Sequence, residues 1–325
     1  LRAWWLAVAA IVGLGLAGDA RVWFRGIENQ PGPLAAERAV VVPHGGIETV
    51  AQALAAAGLI DSVPAFRVAV WLSRGEGTLH AAEFAFPAHA SLRQVLTVLR
   101  TAHPVQHLLT IPEGLTAQQI AALLNKAEVA VGTVAPPAEG SVLPQTYAYE
   151  YGTPRSVILA RAEAAMQREL AADWADRAPD VHLSSPRDAL ILASIVERET
   201  ARPDERPHVA AVYLNRLRLG MRLQADPTVA YEVSGGSGVL AHPLTRGDLD
   251  RPDPFNTYRV AGLPPGPICS PGSASLKAVL HPAASDDLYF VADGSGGHLF
   301  ARTHEAHERN VAKWRALEAG RGSLE

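Results

Sequence analysis

The sequence predicts an α+β fold of about two domains. Three observations carry that prediction. The chain has 325 residues, 48% hydrophobic and 19% charged, which is ample for buried cores and excludes a disordered chain. A unit of short apolar strand, Pro/Gly turn and amphipathic helix recurs three times between residues 40 and 125. Beyond residue 155, helical patterns dominate and a glycine-rich hairpin follows. The net charge of −4 gives no electrostatic footprint for nucleic acid. A single cysteine, Cys269, excludes an intramolecular disulfide and a Cys-rich metal site.

The elements follow in order. Residues 3–18 form an uncharged apolar run between Arg2 and Asp19, with Trp4 and Trp5 suited to an interfacial belt. A spanning helix wants about 20 apolar residues, with a lower limit near 17. A membrane anchor over 1–20 is the favoured reading; a cleaved signal peptide and a buried helix are the competitors. Leu16-Ala17-Gly18 offers only a weak cleavage site. Residues 21–39, with Asn29, Gln30, Pro31, Gly32 and Pro33, read as a linker.

The first repeated unit runs from Val40-Val41-Val42 through Pro43 into a helix bearing Val50, Ala51 and Leu54. The second runs from Phe84-Ala85-Phe86-Pro87 through Ser91, an N-cap, into Val95, Leu96 and Leu99. The third runs from Leu108-Leu109-Thr110-Ile111-Pro112 through Thr116 into Ile120, Leu123 and Leu124. In each, proline ends the strand and the helix shows i, i+3/i+4 spacing. Residues 127–140 read as irregular. A helix is predicted over 156–172 with Val157, Ala160, Ala164 and Ala165 on one face. Another starts at Ser184 or Ser185, with Pro186 in its first turn, and runs to Thr200. Residues 209–219 form a third, closed by Gly220. Leu288-Tyr289-Phe290-Val291-Ala292 and His298-Leu299-Phe300 flank Asp293-Gly294-Ser295-Gly296-Gly297, a β-hairpin signal. A last helix over 304–318 presents Val311 and Trp314.

The segment richest in chemistry is Ile195-Val196-Glu197-Arg198-Glu199-Thr200. Both glutamates fall within an apolar helical sector of roughly 220°. A carboxyl against apolar surface has its pKa raised, as a general acid near neutral pH requires. The competing reading has both glutamates solvated or paired with Arg198, Arg202 or Arg206. Residues i and i+2 project about 200° apart on a helix, so the two carboxyls cannot face one bond together. That spacing rules them out as the paired carboxylates of ordinary glycosidases. One glutamate would act, with any partner drawn from elsewhere; Asp226, Asp248 and Asp253 are nearest in sequence. The run from Asn215 to Thr228 and the run Asn256-Thr257-Tyr258 supply donors and acceptors suited to sugar hydroxyls, or ordinary loop solvation. Gly262-Leu263-Pro264-Pro265-Gly266-Pro267 reads as a rigid surface connector. His304 and His307, at i and i+3, are a weak metal signal and fit a solvated helix face better. His298 reads as a turn residue.

These residues resemble those of the MltG/YceG-type endolytic murein (lytic) transglycosylases. Ala193-Ser194-Ile195-Val196-Glu197-Arg198-Glu199-Thr200 looks like that family's catalytic-helix motif. Tyr213-Leu214-Asn215-Arg216-Leu217, Met221 to Thr228, Asn256-Thr257-Tyr258, Gly262 to Ile268 and Tyr289 to Gly294 match in the same order. The resemblance implies a 1–20 anchor, a small LysM-like module at 40–105 and a catalytic domain at 106–325. It implies cleavage between N-acetylmuramic acid and N-acetylglucosamine within peptidoglycan glycan strands, leaving 1,6-anhydro ends. It carries the catalytic role to Glu199, the glutamate before the threonine. Asn215, Gln224, Asp226, Thr228, Asn256 and Tyr258 are expected to hold the sugars. No metal or cofactor is implied. The expected partners are glycan strands, peptidoglycan synthases (penicillin-binding proteins) and the cytoplasmic membrane, with the body on its outer side. A hydrolytic muramidase and a non-catalytic scaffold for synthases are the alternatives. Gln145 stands where members often carry an acid ahead of Thr-Tyr.

Overall fold

In the computed structural model, residues 26–321 are described. The segment read as an anchor lies outside them. Among the described residues, no helix is long and apolar enough to cross a membrane. The architecture of the described residues is mixed α+β: helices with three two-stranded sheets. The chain divides into two compact units. One holds the residues up to His107 together with Tyr149–Gly152, and the other holds Leu108–Ala148 and Thr153 onward.

The first unit runs β1 (Arg38–Val41), α1 (Ile47–Ala56), α2 (Val63–Leu72), β2 (Glu83–Phe86) and α3 (Leu92–Thr101). β1 and β2 pair antiparallel, with Arg38 opposite Phe86 and Val41 opposite Glu83. Phe66, Phe84, Phe86, Leu54 and Leu99 fill its core. Ser91 caps α3 reciprocally with Gln94. Helix α2 is absent from the expectations above. Its start has the Ser-x-Pro form of a cap, with Ser62 accepting from the Ala65 amide. Its exposed face, however, carries Val68, Trp71 and Leu72, which erases the polar side of the pattern.

The second unit takes in most of β3 (His107–Thr110), which pairs with β4 (Thr146–Tyr149). It continues through α4 (Ala117–Asn125), α5 (Arg155–Ala175), α6 (Pro186–Glu199), α7 (Arg206–Arg218), α8 (Asp226–Val233), α9 (Arg246–Asp250), α10 (Ser273–Leu280), the hairpin β5 (Tyr289–Ala292) and β6 (His298–Ala301), and α11 (His304–Arg321). Thr116 and Gln119 form the expected cap on α4. On α5 the buried stripe is Ile158, Ala162, Ala165 and Met166, while Val157 is exposed; the larger Ile and Met side chains outweigh the Val/Ala face read from sequence. Gly220 closes α7 in a left-handed turn: its N–H donates to Leu217 O and the Met221 N–H to Arg216 O.

Helix α10 was hidden. It is eight residues long, follows a Pro-rich run and has glycine rather than a capping side chain at its start. It nevertheless packs on α6 and α7, burying Leu276, Val279 and Leu280. The strap read as a surface connector is largely interior. Within it Pro264, Gly266 and Pro267 are buried while Pro265 is exposed, and the Ile268, Cys269 and Ser270 that follow are buried too; the Ser194 hydroxyl accepts from the Ile268 amide at 3.0 Å while donating to Ile191 O. Strap and α10 meet at Gly272, where a Cβ would displace the Glu113 side chain.

Candidate active site

Helix α6 is buried on nearly every side, from Ala189 to Val196, because α5, α7, α8 and α10 all pack around it. Ser185 caps its start, accepting from the Asp188 amide, and Pro186 occupies its first turn. Glu199 is its last residue, and Thr200 leaves the helix in an extended conformation. The carboxyl therefore sits at the negative end of the helix dipole, which disfavours ionisation.

The residue as a whole is half-buried, yet its Oε2 is closed off from solvent and has no hydrogen-bond partner. Burial pushes the Glu199 pKa from 4.5 up to about 7, and the Asp226 charge adds to the rise. A hydrogen bond from Tyr213 and the Arg216 guanidinium pull the other way without cancelling it. Tyr213, on α7, is only 1% exposed, and burial and the Glu199 charge hold its phenol well above the ordinary range. It therefore stays a donor to the carboxyl. One turn on, Arg216 donates from Nε to Leu288 O at 2.6 Å and from Nη1 to Leu223 O at 2.6 Å. It lies over the Tyr289 ring, 5.3 Å from its centroid. Arg216 thus ties α7, the 219–225 loop and the hairpin together beside Glu199.

Glu197 has a different environment. Its side chain is 5% exposed and pairs with Arg206 at 3.0 Å. Its other oxygen accepts from the Gly272 amide at 3.0 Å and the Ser275 hydroxyl at 2.7 Å. Pairing with Arg206, one of the two readings open from sequence, holds for Glu197 and not for Glu199. All the acceptor sites that matter on Glu197 are engaged, so it fastens α6 to α7 and α10.

The six residues expected to hold sugars separate into two sets. Asp226, at the start of α8, is exposed and accepts from the Tyr258 hydroxyl at 2.6 Å; its charge helps raise the Glu199 pKa, and burial, Asp226 and the Glu199 charge raise that of Tyr258. Gln224 is exposed and adopts φ of 51°, a left-handed conformation that costs a non-glycine residue about 1 kcal/mol. Its N–H donates to Thr257 O. The other three are committed to the backbone. Thr228 donates to Ala225 O at 2.7 Å, so the 2.9 Å contact between the Thr228 and Thr257 hydroxyls is donated by Thr257. Asn256 spreads its amide over the carbonyls of Asp248, Leu249 and Arg251. Asn215 donates to the carbonyls of Ser285 and Asp287.

Sequence reasoning missed Tyr213 and Arg216 as site residues. The available signal was their i, i+3 spacing on a helix face that otherwise carries core side chains. His298 is more than a turn residue: it opens β6, and Glu205 takes both its N–H and its ring Nδ1, the latter at 2.7 Å. His304 is exposed beside Glu308, whereas His307 stacks on Tyr289 at 5.2 Å, where burial lowers its pKa. Among the described residues no three His, Cys, Asp or Glu side chains gather as a metal cluster.

Of the two glutamates that end α6, Glu199 alone keeps an unpartnered oxygen; its pKa is raised to about 7 and a phenol is bonded to it, which is the arrangement a general acid requires. The chain belongs to the YceG-like family, whose sequence pattern matches residues 40–313. It is similar to the endolytic murein transglycosylase of Bacillus subtilis, with 38% identity over 125 residues, 38% of this chain and 34% of that protein. It is similar also to the endolytic murein transglycosylase of Streptococcus pneumoniae, with 32% identity over 179 residues, 54% of this chain and 32% of that protein. The matches thus span about a third of the length of these curated relatives. The crystal structure of a yceG-like protein from Listeria monocytogenes superposes with a TM-score of 0.51 and 28% identity, covering 85% of this chain and 99% of that one.

Proposed function

We propose that this protein is an endolytic peptidoglycan transglycosylase whose acid and base are one residue, Glu199. The observation that carries the proposal is the closed-off, unpartnered Oε2 of a carboxyl whose pKa is raised to about 7. Protonated Glu199 gives its proton to the glycosidic oxygen as the C1–O bond of N-acetylmuramic acid breaks. The resulting carboxylate then takes the proton of the C6 hydroxyl, whose oxygen bonds to C1 and closes the 1,6-anhydro ring. Proton and electron pair balance, and Glu199 ends protonated. One carboxyl suffices because the nucleophile belongs to the substrate, at an effective molarity that reaches ~10⁵ M or more in oriented systems. Proton transfer by a positioned side chain adds about 10²–10⁴-fold.

Tyr213 holds the carboxyl in place, and Arg216 steadies the charge that appears on it. Gln224, Asp226 and Tyr258 touch the sugars, while Asn215, Thr228 and Asn256 hold the walls of the groove. The segment 1–20 anchors the chain in the cytoplasmic membrane, with the body outside. The first unit serves as a LysM-like module, and synthases accompany the enzyme on the same strands. The test is release of anhydro-muropeptides by Glu199→Gln and Glu197→Gln, each with a thermal melt. The first variant is expected to be folded and inactive. A folded, active Glu199→Gln would overturn the assignment.

A further inference from the structure

Helix α2 is apolar on both of its faces. Phe66, Ala69 and Val70 face the core of the first unit. Pro64, Val68, Trp71 and Leu72, at i, i+4, i+7 and i+8, form a second stripe that is exposed to solvent. Trp71 is 62% exposed, and the group stacked on its ring is the Arg74 guanidinium, at 4.7 Å. Arg67 is the only charged residue of the helix. A water-facing helix surface ordinarily carries several charges, and a contiguous apolar one marks a contact.

The stripe is small. Ten residues make a helix face about 15 Å long and 10 Å wide, roughly 150 Å², whereas a stable protein–protein interface takes about 800 Å² from each partner. A second copy of the chain or another protein would need far more than this stripe. A lipid surface does not, provided that something else holds the unit against it.

The chain itself supplies that hold. The Gly32 N–H donates to His89 O at 3.1 Å, the His89 N–H donates to Leu34 O at 2.7 Å, and Leu34 is buried, so this segment is fixed to the first unit. Ile27, Gln30, Pro31 and Pro33 line a cleft with Ser62 and Ala65, at the start of α2. Between the apolar run that ends at Gly18 and Ile27 stand eight residues, Asp19 to Gly26, which cover about 30 Å at full extension. They include Trp23 and Phe24 between Arg21 and Arg25, a composition that favours the headgroup layer. With 3–18 in the bilayer, the first turn of α2 is tethered close to the membrane, where a weak apolar contact is enough.

We propose that the Val68–Trp71–Leu72 face of α2 lies in the headgroup layer of the membrane that holds segment 1–20. The proposal rests on the anchor reading of that segment and not on the catalytic role of Glu199. Trp71 sits at headgroup level, as indoles prefer, and Val68 and Leu72 enter the acyl boundary. Arg67 and Arg74 reach lipid phosphates from the flanks. Glu48 is the acid beside this face, and it already pairs with Arg67 at 3.3 Å.

Cys269, the only cysteine, is buried, so an introduced cysteine takes the label. The full chain is reconstituted in lipid nanodiscs of equal parts phosphatidylglycerol and phosphatidylcholine. A fluorophore is placed at Val68→Cys, at Leu72→Cys or, as the water-facing control, at Arg93→Cys on α3. Bromine on the upper acyl chains is expected to quench the labels at 68 and 72, and aqueous iodide to lose its effect on them. The label at 93 is expected to show the reverse. Trp71→Asp, at an exposed position, is expected to return the label at 68 to iodide with an unchanged melting temperature. Labels at 68 and 72 that iodide still quenches, in a chain incorporated in the discs, would overturn the proposal and leave the anchor standing. A chain that does not incorporate would overturn the anchor and this contact with it. Protection of 68 and 72 from both quenchers would mean that protein covers the face, and bromine quenching at 93 as strong as at 68 would mean that no particular face meets the lipid; either result would overturn the proposal.

Discussion

Replacing Glu199 by glutamine should change how stability depends on pH, and the size of the change follows from the burial of the carboxyl. In the unfolded chain the group ionises with its ordinary pKa of 4.5, whereas in the folded protein the value is about 7. Between those values the folded state holds a proton that the unfolded state has released. Stability therefore falls as pH rises through this window, and the loss is complete above the folded value. The difference amounts to about 3 kcal/mol at 25 °C. Glutamine has no proton to release, so the variant escapes the loss. Its own cost, an amide N–H₂ facing the space of the unpartnered Oε2, does not depend on pH and only offsets the curve. The assay is melting temperature against pH from 4 to 8 for both proteins. The variant is expected to gain on the wild type between about pH 4.5 and 7, by about 6 °C or more for a domain of this size, and to run parallel to it beyond that window. Curves parallel throughout would show that Glu199 ionises at its ordinary pH, and the acid role would lose its physical basis.

Other expectations follow from the same geometry. In steady-state assays on glycan strands, kcat/KM should fall about tenfold per pH unit above a limb near the Glu199 pKa of about 7, since only the protonated form donates. Tyr213→Phe removes a hydrogen bond that favours the carboxylate, so that limb should move to higher pH while kcat falls; a shift to lower pH would contradict the donor role. Glu197→Gln leaves Arg206 short of its buried partner and should cost about 3 kcal/mol in denaturant melts, with activity per folded molecule retained. Gln224→Gly relieves a left-handed backbone and removes an exposed side chain, so KM should rise with stability unchanged or improved; equal kinetics would remove Gln224 from the sugar site.

Local order was legible where one side chain decides it. Ser91, Thr116 and Ser185 announce their helices because each meets a backbone N–H that nothing else can satisfy. Gly220 ends α7 because only glycine enters the left-handed turn without penalty. The raised pKa of Glu199 was also legible, from its place in an apolar sector. What the helical wheel could not reveal was which glutamate finds a counter-charge. Arg206 is seven residues beyond Glu199 and reaches Glu197 only because α7 folds back against α6. Helix α10 and the 263–272 strap escaped for a related reason. Their composition is that of a loop, and they are interior because Ser194 and Glu197 bond them there. Asn215, Thr228 and Asn256 look like sugar ligands in a list of polar residues. Only the fold reveals backbone carbonyls already occupying their donors.

The most direct test of the account is the mass of the products. Purified sacculi digested by the wild-type chain, followed by mass spectrometry of the muropeptides, should yield fragments ending in 1,6-anhydro-N-acetylmuramic acid. Each would be one water lighter than the hydrolytic equivalent, and none should appear with Glu199→Gln. Fragments with ordinary reducing ends would instead mean that water attacks C1, and the single-carboxyl mechanism built on Glu199 would be contradicted.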